Sequence, residues 1–361
     1  LVPIFEWRWK KSPTPMASGS SEVDPGATAE SEDRQLTGWP QFLGPNRDCT
    51  VPGIRLNRDW TSTPPVEVWR IPIGPSWSGF AVHEGYAVTL EQEGSREVVS
   101  CFDAWTGQRL WTHWYEARYS TTLGGEGPRS TPSIDGDSVY ASGATGWVIC
   151  LDLETGEVRW ARDVFAANNG QVPDWGYSVS PLVVGERVIV GGGSGGRSSL
   201  LALDKQSGEI QWSGGVDDIS YSSPILHDFG GRQQVVNFNT SSVAGHDPDS
   251  GELLWQHPYA HGHVHVAAPL AVGSDRVLFS SGYGHGSELF RLRSNEQNEW
   301  SVEQVWKSRR MKAKFTNLIL HEGHVYGLDD GIMACISVET GEQQWKDGRY
   351  GHGQAILVGE V

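Results

Sequence analysis

Three histidines stand at alternate positions in one stretch of the chain, His261, His263 and His265. In an extended strand alternate side chains point to the same side, so the three imidazoles could together bind a metal ion. The alternative is that they are hydrogen-bonded loop or channel residues. The absence of an accompanying carboxylate or cysteine favours this second interpretation, and no metal is expected.

A run of positive charge, KSRRMKAK, occupies residues 307–314 and places five cations in eight positions. Such a run is usually a solvated loop. In a chain with a net charge of −16, it is also the best candidate contact for an anion, which we expect Lys312 and Lys314 to supply. The acidic total argues against a nucleic-acid partner, because the chain has no overall basic surface.

The elements that must position these residues repeat along the chain. One turn and one final tryptophan recur in CFDAWTGQRLW (101–111), CLDLETGEVRW (150–160), ALDKQSGEIQW (202–212), GHDPDSGELLW (245–255) and CISVETGEQQW (335–345). A degenerate copy ends at Trp306, and an isolated VEVWRIPIG places Trp69 in the same role. The tryptophans therefore recur every 39 to 52 residues, a spacing typical of propeller blades.

Short β-branched runs such as RVIV and VVNF, bounded by Gly, Asp and Ser, predict strands, and the Thr/Ser-Gly pairs predict hairpin turns. The pattern predicts an all-β propeller of four-stranded blades, with six complete blades ending at Trp111, Trp160, Trp212, Trp255, Trp306 and Trp345. A seventh blade is expected to begin at GHGQAILVGEV (351–361), and the strand around Trp69 to close the ring as the outer strand of the last blade. Because a sheet ending in mid-blade leaves an unpaired edge, we expect that the chain is a C-terminally truncated fragment.

Propeller topology also predicts where a ligand binds. The chain crosses one face between each outer strand and the next inner strand, here in residues 112–129, 161–178, 213–221, 256–266, 307–315 and 346–353. Ligand candidates on this predicted funnel are Trp77, Arg129, Trp175, Tyr177, Tyr221, His263, His265, Lys312, Lys314, Tyr350 and His352. Aromatic, imidazole and cationic groups together suit a ligand with apolar and anionic parts.

The four cysteines do not form a disulfide framework in a chain of this length. Cys101, Cys150 and Cys335 share one repeat position and are predicted to be small buried hydrophobic residues, while Cys49 is predicted to be a free loop thiol. Residues 1–36 are predicted to be an N-terminal flank and disordered tether, because residues 12–36 are rich in Ser, Pro, Glu and Gly and few of them are large and apolar. Their first residues, LVPIFEWRWKK, suggest the flank of a lost membrane segment or signal.

The Asp-x-x-Thr-Gly-x-x-x-Trp repeat resembles the tryptophan-docking motif of the pyrroloquinoline-quinone (PQQ) propeller superfamily. WPQFLGPNRD (39–48) is similar to the start of bacterial envelope proteins with PQQ-like repeats. The resemblance covers roughly residues 37–361 and implies eight blades in the full-length protein. It also implies that each motif tryptophan docks against the next blade, a role carried here by Trp69, Trp111, Trp160, Trp212, Trp255, Trp306 and Trp345.

The superfamily includes catalytic quinoprotein dehydrogenases and non-catalytic relatives, such as the lipoprotein propeller of the bacterial outer-membrane assembly machinery. Catalytic relatives hold the quinone against a vicinal Cys-Cys disulfide beside Ca²⁺, and this chain has no adjacent cysteines. The resemblance therefore favours a monomeric, non-catalytic binding or scaffolding module of the bacterial periplasm or cell envelope. Its partner would be a protein or a small anionic ligand, and no cofactor is expected. A missing N-terminal segment would tether the protein to a membrane.

Two alternatives remain open. The first is a PQQ-dependent dehydrogenase of alcohols or sugars, which would need PQQ and calcium. The second is a sensor of a small anion or metal that uses the histidines and lysines of the funnel. One fold hosts many functions, so the choice depends on the site and not on the repeat.

Overall fold

A computed structural model describes residues 38–259 and 262–360 of the chain. After the short strand β1 (Thr50–Val51), the chain forms six four-stranded antiparallel sheets in succession in this described part. Sheet 1 contains β2 (Ala81–His83), β3 (Tyr86–Glu93), β4 (Arg96–Asp103) and β5 (Arg109–Glu116). A small hairpin follows, β6 (Ser120–Thr121) and β7 (Gly125–Glu126).

The next three sheets follow the same plan. Sheet 2 contains β8 (Ser133–Asp135), β9 (Ser138–Ser142), β10 (Trp147–Asp152) and β11 (Val158–Asp163), and it is followed by the short helix α1 (Val164–Asn168). Sheet 3 contains β12 (Leu182–Val184), β13 (Arg187–Gly191), β14 (Leu200–Asp204) and β15 (Ile210–Gly214). Sheet 4 contains β16 (Ile225–Phe229), β17 (Arg232–Phe238), β18 (Ser242–His246) and β19 (Leu253–Pro258).

Two further sheets complete the series. Sheet 5 contains β20 (Leu270–Val272), β21 (Arg276–Ser281), β22 (Gly286–Ser294) and β23 (Trp300–Ser308). Sheet 6 contains β24 (Ile319–His321), β25 (His324–Asp329), β26 (Ile332–Ser337) and β27 (Gln343–Arg349), and β28 (Leu357–Val358) follows it. The predicted all-β propeller of four-stranded blades is confirmed.

Every sheet is a meander in which each strand pairs with the next along the chain. First strands of neighbouring sheets contact one another, as β2 and β8, β8 and β12, and β12 and β16 do. Because the strands alternate in direction, the links between second and third strands lie at the same end of the sheets as the crossings to the next sheet. We call this end the crossing face. The opposite end, the turn face, carries the Thr/Ser-Gly turns.

The hydrophobic core lies between neighbouring sheets. Val88 and Leu90 of sheet 1, for example, pack in one buried cluster with Ile134, Val139 and Ile149 of sheet 2. Full burial of each such aliphatic side chain contributes about 1.5–3 kcal/mol. The middle strands are therefore buried almost throughout, whereas the outer strand β11 buries only its tryptophan.

The Asp-x-x-Thr-Gly motif builds the turn between third and fourth strands. Asp152 Oδ1 accepts hydrogen bonds from the backbone N–H of Thr155 (2.9 Å) and from its hydroxyl (3.0 Å). Gly156 follows with φ of 72°, a conformation that a residue with a side chain rarely adopts. A Cβ there would also lie 2.6 Å from the ring of Trp111, which packs on the glycine from sheet 1.

Five tryptophans reach the next turn in this way through the indole Nε1–H, which donates to a backbone carbonyl. The pairs are Trp69 with Ala104 (3.1 Å), Trp111 with Leu153 (2.8 Å), Trp160 with Lys205 (3.0 Å), Trp212 with Pro248 (3.0 Å) and Trp306 with Val338 (2.9 Å). Trp255 differs from the predicted docking, because its Nε1–H donates within its own sheet to Gln234 Oε1 (2.6 Å). Trp345 is 43% exposed and lies near Tyr326, also within its own sheet.

The cysteine positions follow from the same packing. Cys101, Cys150 and Cys335 stand opposite Trp111, Trp160 and Trp345 in the strand register, where a small residue leaves room for the indole. Ala202 and Gly245 fill this position in sheets 3 and 4. All four cysteines are free and buried. The prediction of buried residues at the three repeat positions is thus confirmed, and Cys49, predicted to be a free loop thiol, is buried as well.

A bridging segment, residues 39–51, links several sheets and was not predicted. Trp39 exchanges two backbone hydrogen bonds of 2.8 Å with Val82 of sheet 1, and Ile134 of sheet 2 donates to the Pro40 carbonyl (2.7 Å). Its last residues form β1, which pairs in parallel with β28. The stretch at 351–360, predicted to open a seventh sheet, thus has a partner in β1.

The residues around Trp69 are not a strand, contrary to prediction, although the ring packs on Gly107 of sheet 1. The predicted N-terminal flank and tether, residues 1–36, lies outside the described residues. No helix in the described ranges is long and apolar enough to cross a membrane.

Candidate functional site

The crossing face carries a continuous strip of rings around one lysine. The Lys314 ammonium lies 4.7 Å from the centre of the Tyr283 ring and 5.3 Å from that of Phe315. The His263 ring stacks on the Tyr283 ring, with the ring centres 4.9 Å apart and an angle of 16° between the planes. The His352 ring meets the Phe315 ring edge-on, with the ring centres 5.6 Å apart. We call these five residues the aromatic strip.

Several elements position the aromatic strip. Tyr283 lies in the link between β21 and β22, Lys314 and Phe315 in the crossing from sheet 5 to sheet 6, and His352 after sheet 6. Gly282 lets the lysine stem pass, because a Cβ there would be 2.7 Å from the Lys314 Cβ. Tyr283 and Phe315 are each 40% exposed, so the strip faces solvent.

Lys314 has no carboxylate within 4.0 Å among the described residues, whereas the other predicted cation is paired. Lys312 Nζ forms ion pairs with Asp329 and, at 3.4 Å, with Asp330. Lys346 Nζ lies 2.6 Å from the second oxygen of Asp329. Burial raises the pKa of the Asp329 carboxyl, but the hydrogen bonds from Lys312 and Lys346 outweigh burial and leave that pKa below its ordinary value. These carboxylates already pair with Lys312, which disfavours the predicted contact of Lys312 with an external anion.

His263 and His265, the two of the alternate histidines that the structure describes, do not form one group. Residues 262–269 form no strand, so their side chains do not share one direction. His265 is buried, stacked on Phe238 at 4.1 Å with Nδ1 3.1 Å from Ser281 Oγ, while His263 is exposed on the aromatic strip. His261 lies outside the described residues. His265 is thus hydrogen-bonded, as the alternative to a metal site proposed. Its side chain lies in the core and not in the funnel.

Arg129 and its neighbours form a second group on the crossing face. The guanidinium donates to the carbonyls of Gly124 (2.6 Å), Gly125 (3.2 Å) and Gly127, and it lies 4.5 Å from the Tyr119 ring centre. Burial lowers the pKa of Arg129. Arg129, a predicted ligand contact of the funnel, instead uses these donors to hold the β6–β7 hairpin.

The predicted aromatic residues of the funnel have different environments. Trp77 is 60% exposed beside Gly125, and Trp175 is half-buried beside Gly124, so the hairpin tip lies between two indoles. The Trp175 backbone N–H donates to the Tyr221 hydroxyl (3.0 Å), and burial raises the pKa of Tyr221 to about 12.

The remaining two predicted tyrosines differ in exposure. Tyr177 is fully buried against Phe165, and its hydroxyl accepts from the Gly191 N–H (2.7 Å). Its assignment to the funnel was wrong, because the side chain turns into the core. Tyr350 is 70% exposed and packs on Gly348.

Arg47 of the bridging segment is a buried residue that sequence reasoning missed. Its guanidinium donates to Gln41 Oε1 (2.9 Å) and to the carbonyls of Pro224 (2.8 Å), Ser180 (3.4 Å) and Pro181. These carbonyls belong to the Ser-Pro openings of sheets 3 and 4. Burial lowers the pKa of Arg47 to about 9. One side chain thereby joins the openings of two sheets to residues 39–51.

A comparison with known families decides the family. The family described as outer membrane protein assembly factor BamB matches residues 95–347, which is most of the chain. The chain belongs to this BamB family. The match begins within sheet 1 and ends within β27 of sheet 6.

The BamB-family chain is similar to solved structures and curated proteins of two kinds. The crystal structure of BamB from Moraxella catarrhalis superposes with a TM-score of 0.55 and 18% identity, over 76% of this chain and 74% of that one. A quinoprotein alcohol dehydrogenase, PedH of Pseudomonas putida, is 27% identical over 161 residues, which are 40% of this chain and 26% of the relative. A quinohemoprotein alcohol dehydrogenase of Comamonas testosteroni is 30% identical over 126 residues, 33% of this chain and 17% of that enzyme. The chain thus spans a small part of these curated relatives.

Among the described residues of this BamB-family chain, no group of three or more His, Cys, Asp or Glu side chains is placed to hold a metal ion. The buried acids near the crossing face already have partners: Glu97 accepts from the Tyr115 hydroxyl (2.6 Å) and the Ala144 N–H (3.0 Å), and Asp329 binds two lysines. Burial raises the pKa of Glu97, which further disfavours a charged metal ligand there.

Proposed function

We propose that this BamB-family chain is a non-catalytic scaffold of the bacterial cell envelope that binds a protein partner at its crossing face. The family and the propeller fold support a scaffold, since a propeller offers a rigid surface on which loops present side chains. The observation that carries the proposal is the position of Lys314. It is an unpaired cation of the described part, held between two exposed rings.

The geometry of the aromatic strip suits an acidic segment of a partner. Tyr283 belongs to a residue type that is enriched among those that dominate the binding energy of protein interfaces. A partner carboxylate would meet the Lys314 ammonium, while the rings of Tyr283 and Phe315 cover its apolar neighbours. Because the stem of Lys314 is already ordered by the rings, fixing it on binding costs little side-chain entropy. The net charge of −16 repels an acidic partner at long range. We therefore expect the attraction to come from short-range contact at the aromatic strip and not from long-range electrostatic steering of the partner.

Site-specific photo-cross-linking tests this proposal in cells of a bacterium that carries the chain. A photoreactive phenylalanine analogue replaces Phe315 on the aromatic strip or, as a control, exposed Thr155 on the turn face. We expect a discrete adduct with one protein from position 315 and none from position 155. Lys314→Glu should abolish that adduct, and Lys314→Arg should retain it. An adduct from position 155 alone would contradict the proposed face.

The quinoprotein relatives support a second candidate, a PQQ-dependent dehydrogenase of alcohols or sugars. The identities of 27% and 30% over parts of the chain are the observation in its favour. The donor set near the crossing face weighs against it, as described above. We rank a sensor of a small anion lower than a protein partner, because the strip is an open surface and not an enclosed pocket.

A further inference from the structure

The crossing from sheet 5 to sheet 6 carries two exposed arginines ahead of the aromatic strip. Arg309 and Arg310, which we call the arginine pair, form no ion pair in the described part of the chain. Lys312 differs from them, because Asp329 binds its ammonium. The crossing therefore presents unpaired positive charge at two places, the arginine pair and Lys314.

The backbone between these two places is anchored in the protein. The Met311 carbonyl accepts hydrogen bonds from the hydroxyls of Ser280 (2.6 Å) and Ser287 (2.8 Å). The Ala313 N–H donates to the Ser280 hydroxyl (3.0 Å), and both Met311 and Ala313 are fully buried. The arginine pair and Lys314 thus lie on the two sides of a fixed stretch, so their backbone needs no ordering when a partner binds.

The same stretch runs beside the link between β21 and β22. A Cβ on Gly282 would lie 2.7 Å from the Lys314 Cβ, at one end of the link. A Cβ on Gly286 would lie 2.7 Å from the Arg309 Cα, at the other end. The link is a turn, because the His285 N–H donates to the Gly282 carbonyl (3.1 Å). Since a turn brings residues three apart to within about 7 Å, the two ends of the link are at most about 11 Å apart.

We propose that the partner segment at the aromatic strip is extended and carries two acidic side chains about four residues apart, an inference that rests on the proposed function. Residues four apart in an extended segment point to the same side and lie about 13 Å from each other. One carboxylate then meets Lys314 and the other meets the arginine pair. The residue midway between them points the same way and lies over the Tyr283 ring. Because arginine binds a carboxylate through two N–H donors, the arginine pair fixes the register of the segment.

A narrow peptide suits this arrangement of charges better than an anionic membrane surface. The link between β25 and β26, on the same crossing face, presents the Asp330 carboxylate with 45% of its side chain exposed. A flat anionic surface would meet this carboxylate together with the cations, and the net charge of −16 would repel it as well. An extended segment contacts only the line from Lys314 to the arginine pair.

The test uses the photoreactive analogue at Phe315 in cells of a bacterium that carries the chain. Mass spectrometry of the adduct identifies the partner segment, and short irradiation keeps the adduct yield proportional to binding. We expect Arg309→Gln with Arg310→Gln to lower that yield about threefold to tenfold at an unchanged melting temperature. The matched control, Arg55→Gln with Arg293→Gln, removes two exposed arginines outside this crossing and should leave the yield unchanged. The segment should contain two Asp or Glu residues about three to five positions apart.

The possible failures are distinguishable. An adduct whose yield is the same without the arginine pair, or whose segment lacks two such acidic residues, would overturn this inference and leave the proposed function standing. The absence of any adduct from position 315 in the wild type would overturn both. Sedimentation with phosphatidylcholine vesicles that contain about 30 mol% phosphatidylglycerol tests the membrane alternative, and we expect no binding. Vesicle binding that is lost without the arginine pair would make the occupant an anionic lipid surface and overturn the peptide proposal.

Discussion

The indole of Trp111 donates a hydrogen bond of 2.8 Å to the carbonyl of Leu153 in the next sheet, and its ring covers Gly156 of the same turn. The pair joins the outer strand of one sheet to the outer turn of its neighbour. Its repetition along the chain explains why a turn glycine and a tryptophan recur together: each fits the other across a seam.

Replacement of Gly156 is expected to be more harmful than replacement of another turn glycine. Gly156→Ala strains a positive φ and also drives a methyl group into the Trp111 ring, at a combined cost of about 2–5 kcal/mol. Gly136 has φ of 56° and open space around an added Cβ, so Gly136→Ala should cost only about 1–2 kcal/mol. Urea unfolding of the two variants measures the difference. Equal losses would show that the ring contact is unimportant.

Trp160 is buried and donates to the Lys205 carbonyl, whereas Trp175 lies half-buried on the crossing face. Trp160→Ala should therefore lower the free energy of unfolding by about 3–5 kcal/mol, the cost of removing a buried aromatic side chain. Trp175→Ala should cost far less. The melting temperatures of both variants test this docking role. An unchanged melting temperature for Trp160→Ala would contradict the docking role of Trp160.

Asp329 makes the stability of sheet 6 sensitive to acid. Its pKa lies below the ordinary value in the folded protein, so its ion pairs stabilise the fold above about pH 4. That stabilisation is lost as pH falls through the folded-state pKa. Asp329→Asn should thus be clearly less stable than the wild type at pH 7, and the difference should shrink at lower pH. Asp330→Asn, at a half-exposed carboxylate, is the control and should show little change.

The dehydrogenase alternative has a direct test. Purified protein mixed with PQQ and Ca²⁺ should retain no stoichiometric quinone after gel filtration, and it should not support dye-linked oxidation of alcohols or sugars. An alcohol dehydrogenase that depends on PQQ and calcium is the positive control under the same conditions. Turnover with any such substrate would overturn the non-catalytic assignment.

The fold was predictable because its signal is local and repeated. In the four copies that keep the Asp, this residue and the Thr or Ser, Gly and Trp lie within eleven residues, so their spacing alone indicated four-stranded blades. The side chains of the crossing face were harder to predict. Lys312 and Lys314 are two residues apart, yet only Lys312 meets Asp329, a residue of a later strand. The direction of a loop side chain and the charge that it meets depend on elements distant in sequence.

The irregular turn at 295–299 and the buried Arg47 differ in how far the sequence indicated them. The absence of a Thr-Gly pair at 295–299 was visible as a degenerate repeat, and it coincides with the sheet boundary at which Trp255 donates within its own sheet. Arg47 had no such signal. Three of its four acceptors are backbone carbonyls more than 130 residues away, and a carbonyl has no residue type that a pattern can reveal.

The bridging segment has a consequence for how the chain folds. Sheets that contact only their neighbours fold as a nearly one-dimensional array, in which one unit can melt without the rest. Residues 39–51 precede all six sheets, yet Arg47 finds its acceptors only after the openings of sheets 3 and 4 exist. Such long-range closure slows folding and couples distant units, so we expect one cooperative unfolding transition and not a stepwise loss of sheets.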